Sequence, residues 1–249
     1  MTILITGASG KLGSQLARVF PESARPSSKD LDVTDEKAVD EWIRSYRPEV
    51  IIHAAAFTGI RQCEEDKALA WKTNVSGTEN LLRSCGKHSP KTYFAYVSTA
   101  CVFLGDRGDY TELDIPHPKN YYSLTKLLGE SAVRNSSLRW LIVRTNFVAR
   151  EKWPYPAAFD DRFGTYLFAD DLALAVRKVI GQETVGIVHV CGTRKISMFE
   201  LARLTTPEVK PMSITDYNGP PLTMNMTLKS NRIPAFDLST TGLEIEQPA

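Results

Sequence analysis

The chain contains no apolar run approaching the ~20 residues a membrane-crossing helix needs, and it opens directly into a short apolar strand with no charged leader. A soluble, cytoplasmic protein is the expectation. An excess of one charge is also missing: 30 basic residues against 29 acidic ones leave +1. No general attraction to nucleic acid or to an anionic membrane is therefore expected, and any anionic ligand must be held by a local site. Cysteine is sparse. Cys63, Cys85, Cys101 and Cys191 lie far apart, in or beside apolar segments, without metal-ligand pairing, and read as reduced, buried thiols. His53, His88, His117 and His189 fall at no metal-ligand spacing either. No internal repeat is visible.

Glycine, placed early, is the informative presence. Ile3-Leu4-Ile5-Thr6 runs into Gly7-Ala8-Ser9-Gly10-Lys11-Leu12-Gly13. Strand, three glycines and amphipathic helix occur in the order of a dinucleotide cradle: one glycine for the tight turn, one for approach of a pyrophosphate, one for close packing of the helix. The amides of the helix's first turn then face the anion. Gly7, Ser9, Gly10, Lys11, Leu12 and Gly13 are the candidate cofactor residues of this loop.

With 249 residues, the chain suits one large α/β body with a substantial core. Helices are expected over Lys11 to Phe20, Asp35 to Tyr46, Glu64 to Lys87, Pro118 to Arg134 and Asp170 to Ile180. Strands are expected over Glu49 to Ala56, Thr92 to Ser98, Trp140 to Thr145 and Ile187 to Val190, with a weak or truncated one in Pro21 to Lys29. This alternation implies a parallel sheet. Beyond Arg150 the pattern breaks, and the proline-rich end has only a possible short strand around Leu222 to Leu228.

Ligands of open α/β sheets bind beyond the carboxyl ends of the strands. The rule gathers the glycine loop, Ala54-Ala55-Ala56, Ser98 to Ala100 and Thr145 to Phe147 around one crevice. Tyr122 and Lys126, four apart on a helix, share a face, and an ammonium beside a phenol lowers its pKa toward a range useful for proton exchange. Ser98 and Thr99 are hydroxyls where a substrate carbonyl could accept a hydrogen bond. His53 borders the cofactor or, more simply, is a satisfied core histidine.

Gly7-x-x-Gly10-x-x-Gly13, the Ser98-Thr99 strand end and Tyr122-x-x-x-Lys126 together resemble the extended short-chain dehydrogenase/reductases. Leu31-Asp32-Val33-Thr34-Asp35, His53 to Thr58, Asn74-Val75-Ser76-Gly77-Thr78, Val97 to Phe103 and Arg144 to Val148 resemble the dTDP-4-dehydrorhamnose reductase branch, over roughly residues 1 to 205. The resemblance implies an α/β fold with a Rossmann-type doubly wound parallel sheet and a small, shortened C-terminal substrate lobe. The nucleotide-binding core would be about 1–149 plus 169–192, and the lobe about 150–168 and 193–249 of a single domain, 1–249. It also implies NAD(P)H reducing a keto group of a nucleotide-linked deoxy sugar. Tyr122 would protonate the nascent alkoxide, Thr99 or Ser98 would hold the carbonyl oxygen, and Lys126 would bind the nicotinamide ribose. Asp32 and Val33 would border the adenine. No acid ends the second strand to accept ribose hydroxyls, while Lys11 and Arg25 could reach a 2′-phosphate, so NADP(H) is favoured over NAD(H). A homodimer is compatible with the resemblance.

Two departures stand out. Ala100 occupies the place where the branch usually has Asp, and the stretch between Arg150 and Phe163 is markedly shorter than the family's. Two other functions follow from these. One is an epimerase or dehydratase of the superfamily, which needs an extra acid or base that Ala100 does not offer. The other is a non-catalytic cofactor-binding partner, since a regulatory subunit of methionine adenosyltransferase retains the fold.

Overall fold

A computed structural model describes residues 1–239 of the chain; the part of the expected lobe at 240–249 lies outside them. The first strand, β1 (Ile3–Thr6), leads through the glycine loop to α1 (Lys11–Val19), and α2 (Glu36–Tyr46) leads to β2 (Val50–His53). Asp35 caps α2, its carboxylate accepting from the amides of Lys37 and Ala38. Next come α3 (Ile60–Glu65), α4 (Lys67–Trp71), a π-helical turn at Lys72–Ser76, α5 (Gly77–His88), β3 (Tyr93–Thr99), α6 (Tyr121–Arg134) and β4 (Arg139–Thr145). The remainder holds β5 (Phe147–Val148), β6 (Ala157–Phe159), β7 (Phe163–Gly164), β8 (Leu167–Phe168), α7 (Ala169–Gly181), β9 (Gly186–Val190), β10 (Ile196–Ser197), α8 (Met198–Arg203), β11 (Lys210–Met212) and β12 (Asn225–Met226).

The main sheet is five-stranded and parallel in the order β1-β2-β3-β4-β9. Both of its faces are covered, which is why its strands read as apolar runs without alternation. On one face Leu12 and Leu16 of α1 and Leu172 and Val176 of α7 share a core with Ile3, Ile5 and Val143. On the other, Val39 and Ile43 of α2, Leu81 of α5 and Val133 of α6 pack on Leu4, Ile51 and Phe94. Helices on both faces of a parallel sheet are the doubly wound arrangement expected from the sequence.

Two expectations are adjusted. The truncated strand of Pro21 to Lys29 shrinks to one isolated parallel bridge, Leu4 with Ala24, because proline and turn-forming serines leave too few consecutive ladder positions. The expected helix Glu64 to Lys87 is several pieces. Asp66 ends α3 and caps α4 through the amide of Leu69, and the π turn that follows rotates Asn74 into the interior. The segment Glu151 to Asp161 includes β6, which pairs in parallel with β11. Beyond β4 the small strands form three further sheets, β10-β7-β12, β11-β6 and β5-β8. No helix among the described residues is long and apolar enough to cross a membrane.

A buried ion pair fixes α6 to the sheet. Arg144 of β4 donates to Glu130 of α6 from Nε at 3.0 and 3.2 Å and from Nη2 at 2.7 Å. Ser98 of β3, which stands opposite Arg144 in the sheet, donates its hydroxyl to the same carboxylate at 2.5 Å. Arg144 and Glu130 are 2% and 1% exposed. Removing one partner would strand the other charge in a low dielectric, so Arg144→Met should lower the unfolding free energy by about 3–5 kcal/mol. The double change with Glu130→Leu should recover most of that loss. Urea titrations of the single and double variants check this; a single-variant loss under about 1 kcal/mol would contradict it.

Candidate active site

Gly7 has φ +70°, and a Cβ there would come within 2.6 Å of the Ala55 backbone. The loop therefore needs glycine for both conformation and closeness to β2's exit. The amide of Gly10 donates to the Gly7 carbonyl at 3.0 Å, closing the turn. The N-terminus of α1 has no side-chain cap and no acid in its first turn. Its leading amides thus face outward without a protein side chain to neutralise them. A Cβ at Gly10 would meet only the Gly7 carbonyl, leaving open space over the turn.

Two cavities meet over this loop, sharing Gly7, Gly10, Ala54 and Ala56. One, of about 370 Å³, runs past Ser9 toward Asp32 and Val33. The other, of about 560 Å³, runs past Lys11, Leu12 and Gly13 to Ser98, Thr99, Tyr122 and Lys126. Ala55 lines the first only. The cleft thus brings together every candidate of the sequence reading but Arg25. Val33 is held by Asn80 of α5, which donates to its carbonyl at 3.0 Å. Asp32 accepts from the Thr34 amide at 2.9 Å. Arg25 is not among the cleft's residues: its guanidinium donates to the carbonyls of Pro21 and Ser23 within its own loop. Lys11 is at the cleft, paired with Glu151 at 2.6 Å, both side chains more than half exposed.

The two hydroxyls at the end of β3 have different surroundings. Ser98 is committed to Glu130, whereas the Thr99 hydroxyl accepts from the Cys101 amide at 3.1 Å and lines the same cavity as Tyr122. Burial holds the Tyr122 phenol well above its ordinary value, Cys101 adds to the effect, and the Thr99 hydroxyl pulls the other way. The expected lowering of Tyr122 by Lys126 is corrected: burial sets the shift, Lys126 is not among its causes, and the group that opposes burial is Thr99. Lys126 is itself buried, its ammonium 4.0 Å from the centre of the Tyr96 ring. Burial brings its pKa down to about 7, against the pull of Glu130 one turn along the helix.

His53 is a satisfied core residue. Its ring bridges the hydroxyls of Thr6 at 2.7 Å and Thr78 at 3.0 Å, and burial presses its pKa down to about 3, with the Lys126 charge adding to the effect. All four cysteines are buried and free. Burial raises Cys63 and Cys191 to about 11 and Cys85 to about 12, so these three are not thiolates near neutral pH. Among the described residues, no group of three or more histidine, cysteine or acidic side chains could hold a metal ion.

Sequence reasoning assigned no role to Asn74, Glu130, Arg144, Arg162 or Tyr166. Asn74 donates to the Phe57 carbonyl and the Thr125 hydroxyl, each at 2.9 Å, and accepts from the Phe57 amide at 2.8 Å. It fastens the loop after β2 to α6. Glu130 could have been found as the third polar residue on the Tyr122–Lys126 face, and Arg144 as a charge inside an apolar strand. For Arg162 and Tyr166 no local signal exists.

The description "RmlD substrate binding domain" fits residues 1–159. A dTDP-4-dehydrorhamnose reductase of Aggregatibacter actinomycetemcomitans is 32% identical over 226 residues, 80% of this chain and 76% of the relative. The methionine adenosyltransferase 2 subunit beta of Xenopus laevis is 30% identical over 273 residues, 92% of this chain and 80% of that one. Among solved structures, the dTDP-4-dehydrorhamnose reductase of Bacillus anthracis in complex with NADP superposes with a TM-score of 0.84 at 28% identity, covering 92% of this chain and 90% of that one.

The buried lysine makes stability depend on pH. Its folded pKa of about 7 lies below its ordinary 10.5. Between these values the unfolded chain keeps a proton that the folded site has released, so the contribution of Lys126 to stability rises with pH across that window and is flat below it. Lys126→Met should abolish the rise. Unfolding free energies of both proteins at pH 7 and about pH 10 test this, and a difference between them that stays constant with pH would contradict it.

Proposed function

The chain belongs to the RmlD substrate binding domain family, and on that premise we propose that it is an NADP(H)-dependent reductase of a keto group on a nucleotide-linked deoxy sugar. The observation that carries the reading is the joined cleft, with uncapped helix amides over a glycine turn in its middle and Thr99, Tyr122 and Lys126 lining one end. The residues present fit a dinucleotide: the turn leaves room above Gly10, and the buried Thr145 hydroxyl in the larger cavity has no protein partner.

In this reading the first turn of α1, with Gly7, Ser9, Gly10, Leu12 and Gly13, takes the pyrophosphate. Asp32 and Val33 flank the adenine, Ala54 to Ala56 lie along the ligand, and Lys126 binds the nicotinamide ribose. The cofactor supplies a hydride to the carbonyl carbon when bound. Tyr122, protonated because it is buried, donates its hydroxyl proton to the carbonyl oxygen. Thr99 orients the phenol and shares the developing negative charge. Ser98 is a positioning residue here, since its hydroxyl already serves Glu130. Ala100 is buried and brings no acid beside Tyr122, which favours reduction over epimerase or dehydratase chemistry. With Arg25 turned away, Lys11 is the remaining cation of the sequence reading for a 2′-phosphate, and it would have to leave Glu151 to answer one.

A second reading has a specific observation behind it: the relative named a methionine adenosyltransferase subunit beta spans nearly the whole chain. In that reading the cleft binds the cofactor for a partner's benefit and turns nothing over. Tyr122→Phe separates the two. The wild type should oxidise NADPH when given a dTDP-4-keto-6-deoxy sugar, and the variant should lose about a hundredfold or more of that rate while binding NADPH equally well. Absence of turnover by the wild type, with NADPH still bound, favours the partner reading. For the cofactor itself, Lys11→Ala should weaken NADPH by about fivefold or more and leave NADH unchanged. Titrations showing equal losses for the two would remove the 2′-phosphate role.

A further inference from the structure

Arg162 is 7% exposed and lines the larger cavity. Its Nε donates to the Thr223 carbonyl at 2.9 Å, but the fork of the guanidinium has only sulfur to meet: Nη1 lies 3.7 Å from Met198 Sδ and Nη2 3.4 Å from Met226 Sδ. No carboxylate among the described residues comes within ion-pair distance of it. Tyr166, 3% exposed, lines the same cavity, and its buried hydroxyl has no hydrogen-bond partner. A permanent cation and a phenol donor, both taken out of water and both unanswered, cost free energy that the apo fold does not recover.

Both are held in place by neighbours. The Arg162 carbonyl accepts from the Met198 amide, and the next residue, Phe163, donates to the Met224 carbonyl, each at 2.8 Å. The Tyr166 ring lies over Gly164, where a Cβ would approach it at 2.7 Å. Preorganised donors without an acceptor describe a binding subsite for an oxyanion. The guanidinium fork matches two oxygens of a phosphate, and the phenol is a further donor in the same cavity.

We propose that Arg162 and Tyr166 form a phosphate-reading subsite of the substrate cleft, which receives the diphosphate of a nucleotide-linked substrate and sets specificity for it. The proposal rests on the reductase reading for the identity of the substrate, though not for the existence of the subsite. It assigns a function to the end of the shortened Arg150–Phe163 stretch: the anchor sits where the chain enters the short strands β7 and β8 and needs no large lobe around it.

The test is calorimetric titration of dTDP, and separately of pyrophosphate, into the NADP-loaded protein. Arg162→Met, whose side chain suits the methionine surroundings, should weaken dTDP by about tenfold or more, and Tyr166→Phe by about threefold. Arg162→Lys, which keeps the charge without the fork, should fall between wild type and Arg162→Met. NADPH affinity should be unchanged in all three, and in turnover the Arg162 variants should raise KM for the keto sugar more than they lower kcat. Equal dTDP affinity in wild type and Arg162→Met, no dTDP binding by the wild type, or a loss confined to NADPH would each overturn the subsite. Should Arg162→Met fail to fold, Arg162→Lys and Tyr166→Phe carry the same comparison. Arg162-dependent dTDP binding without any turnover would sink the reductase reading and leave the subsite standing; turnover with dTDP affinity indifferent to Arg162 would do the reverse.

Discussion

The salt bridge between Arg144 and Glu130, with Ser98 as its third member, joins two strands to the helix that carries Tyr122 and Lys126. Its geometry is good on the carboxylate side, which accepts from both partners, and incomplete on the guanidinium side, where Nη1 has no polar partner and the Phe103 ring lies 5.1 Å from the charge. Such a pair is weak evidence for stability and strong evidence for register: no other rotation of α6 would bring Glu130 onto Arg144. Once that rotation is set, helical spacing puts Lys126 and Tyr122 one and two turns back along the same face, toward the end of β3. The electrostatics follow as well, because the Glu130 carboxylate supports a charge on Lys126 that burial alone would remove.

Partnered and unpartnered polar groups divide the cleft by role. Asn74, His53 and Ser98 spend their hydrogen bonds on neighbouring elements, so each is part of the frame despite standing beside the ligand space. The outward amides of α1, the Thr145 and Tyr166 hydroxyls and the Arg162 fork are left unanswered by the protein. Buried donors are rarely left so without a compensating ligand. The first two groups suit the proposed dinucleotide, the last two the proposed anion in the same cavity.

Much of this was legible in the order of residues. The glycine turn, the apolar strands, the Tyr122–Lys126 spacing and the hydroxyls after β3 depend on local chemistry, and the structure brings all of them to one cleft. What was not legible depended on partners far along the chain. The helix expected from Glu64 to Lys87 ran straight through Asp66, since the cap Asp66 forms competes with helix continuation by only a small margin. Ser98 and Thr99 looked interchangeable, and only Glu130, 32 residues away, separates them. Arg25 looked free to reach a phosphate, until two carbonyls of its own loop claimed it.

By itself the sequence determined the doubly wound parallel sheet, the glycine turn into the first helix and the hydroxyl, phenol and ammonium set, because strand periodicity, glycine conformation and helical spacing act over a few residues. The tertiary structure alone decided which hydroxyl faces Tyr122, that burial rather than Lys126 governs that phenol, and that Arg162 and Tyr166 stand unpaired in the cavity. Each of those is a matter of desolvation and of hydrogen-bond partners brought from distant segments, and neither exists until the chain has folded.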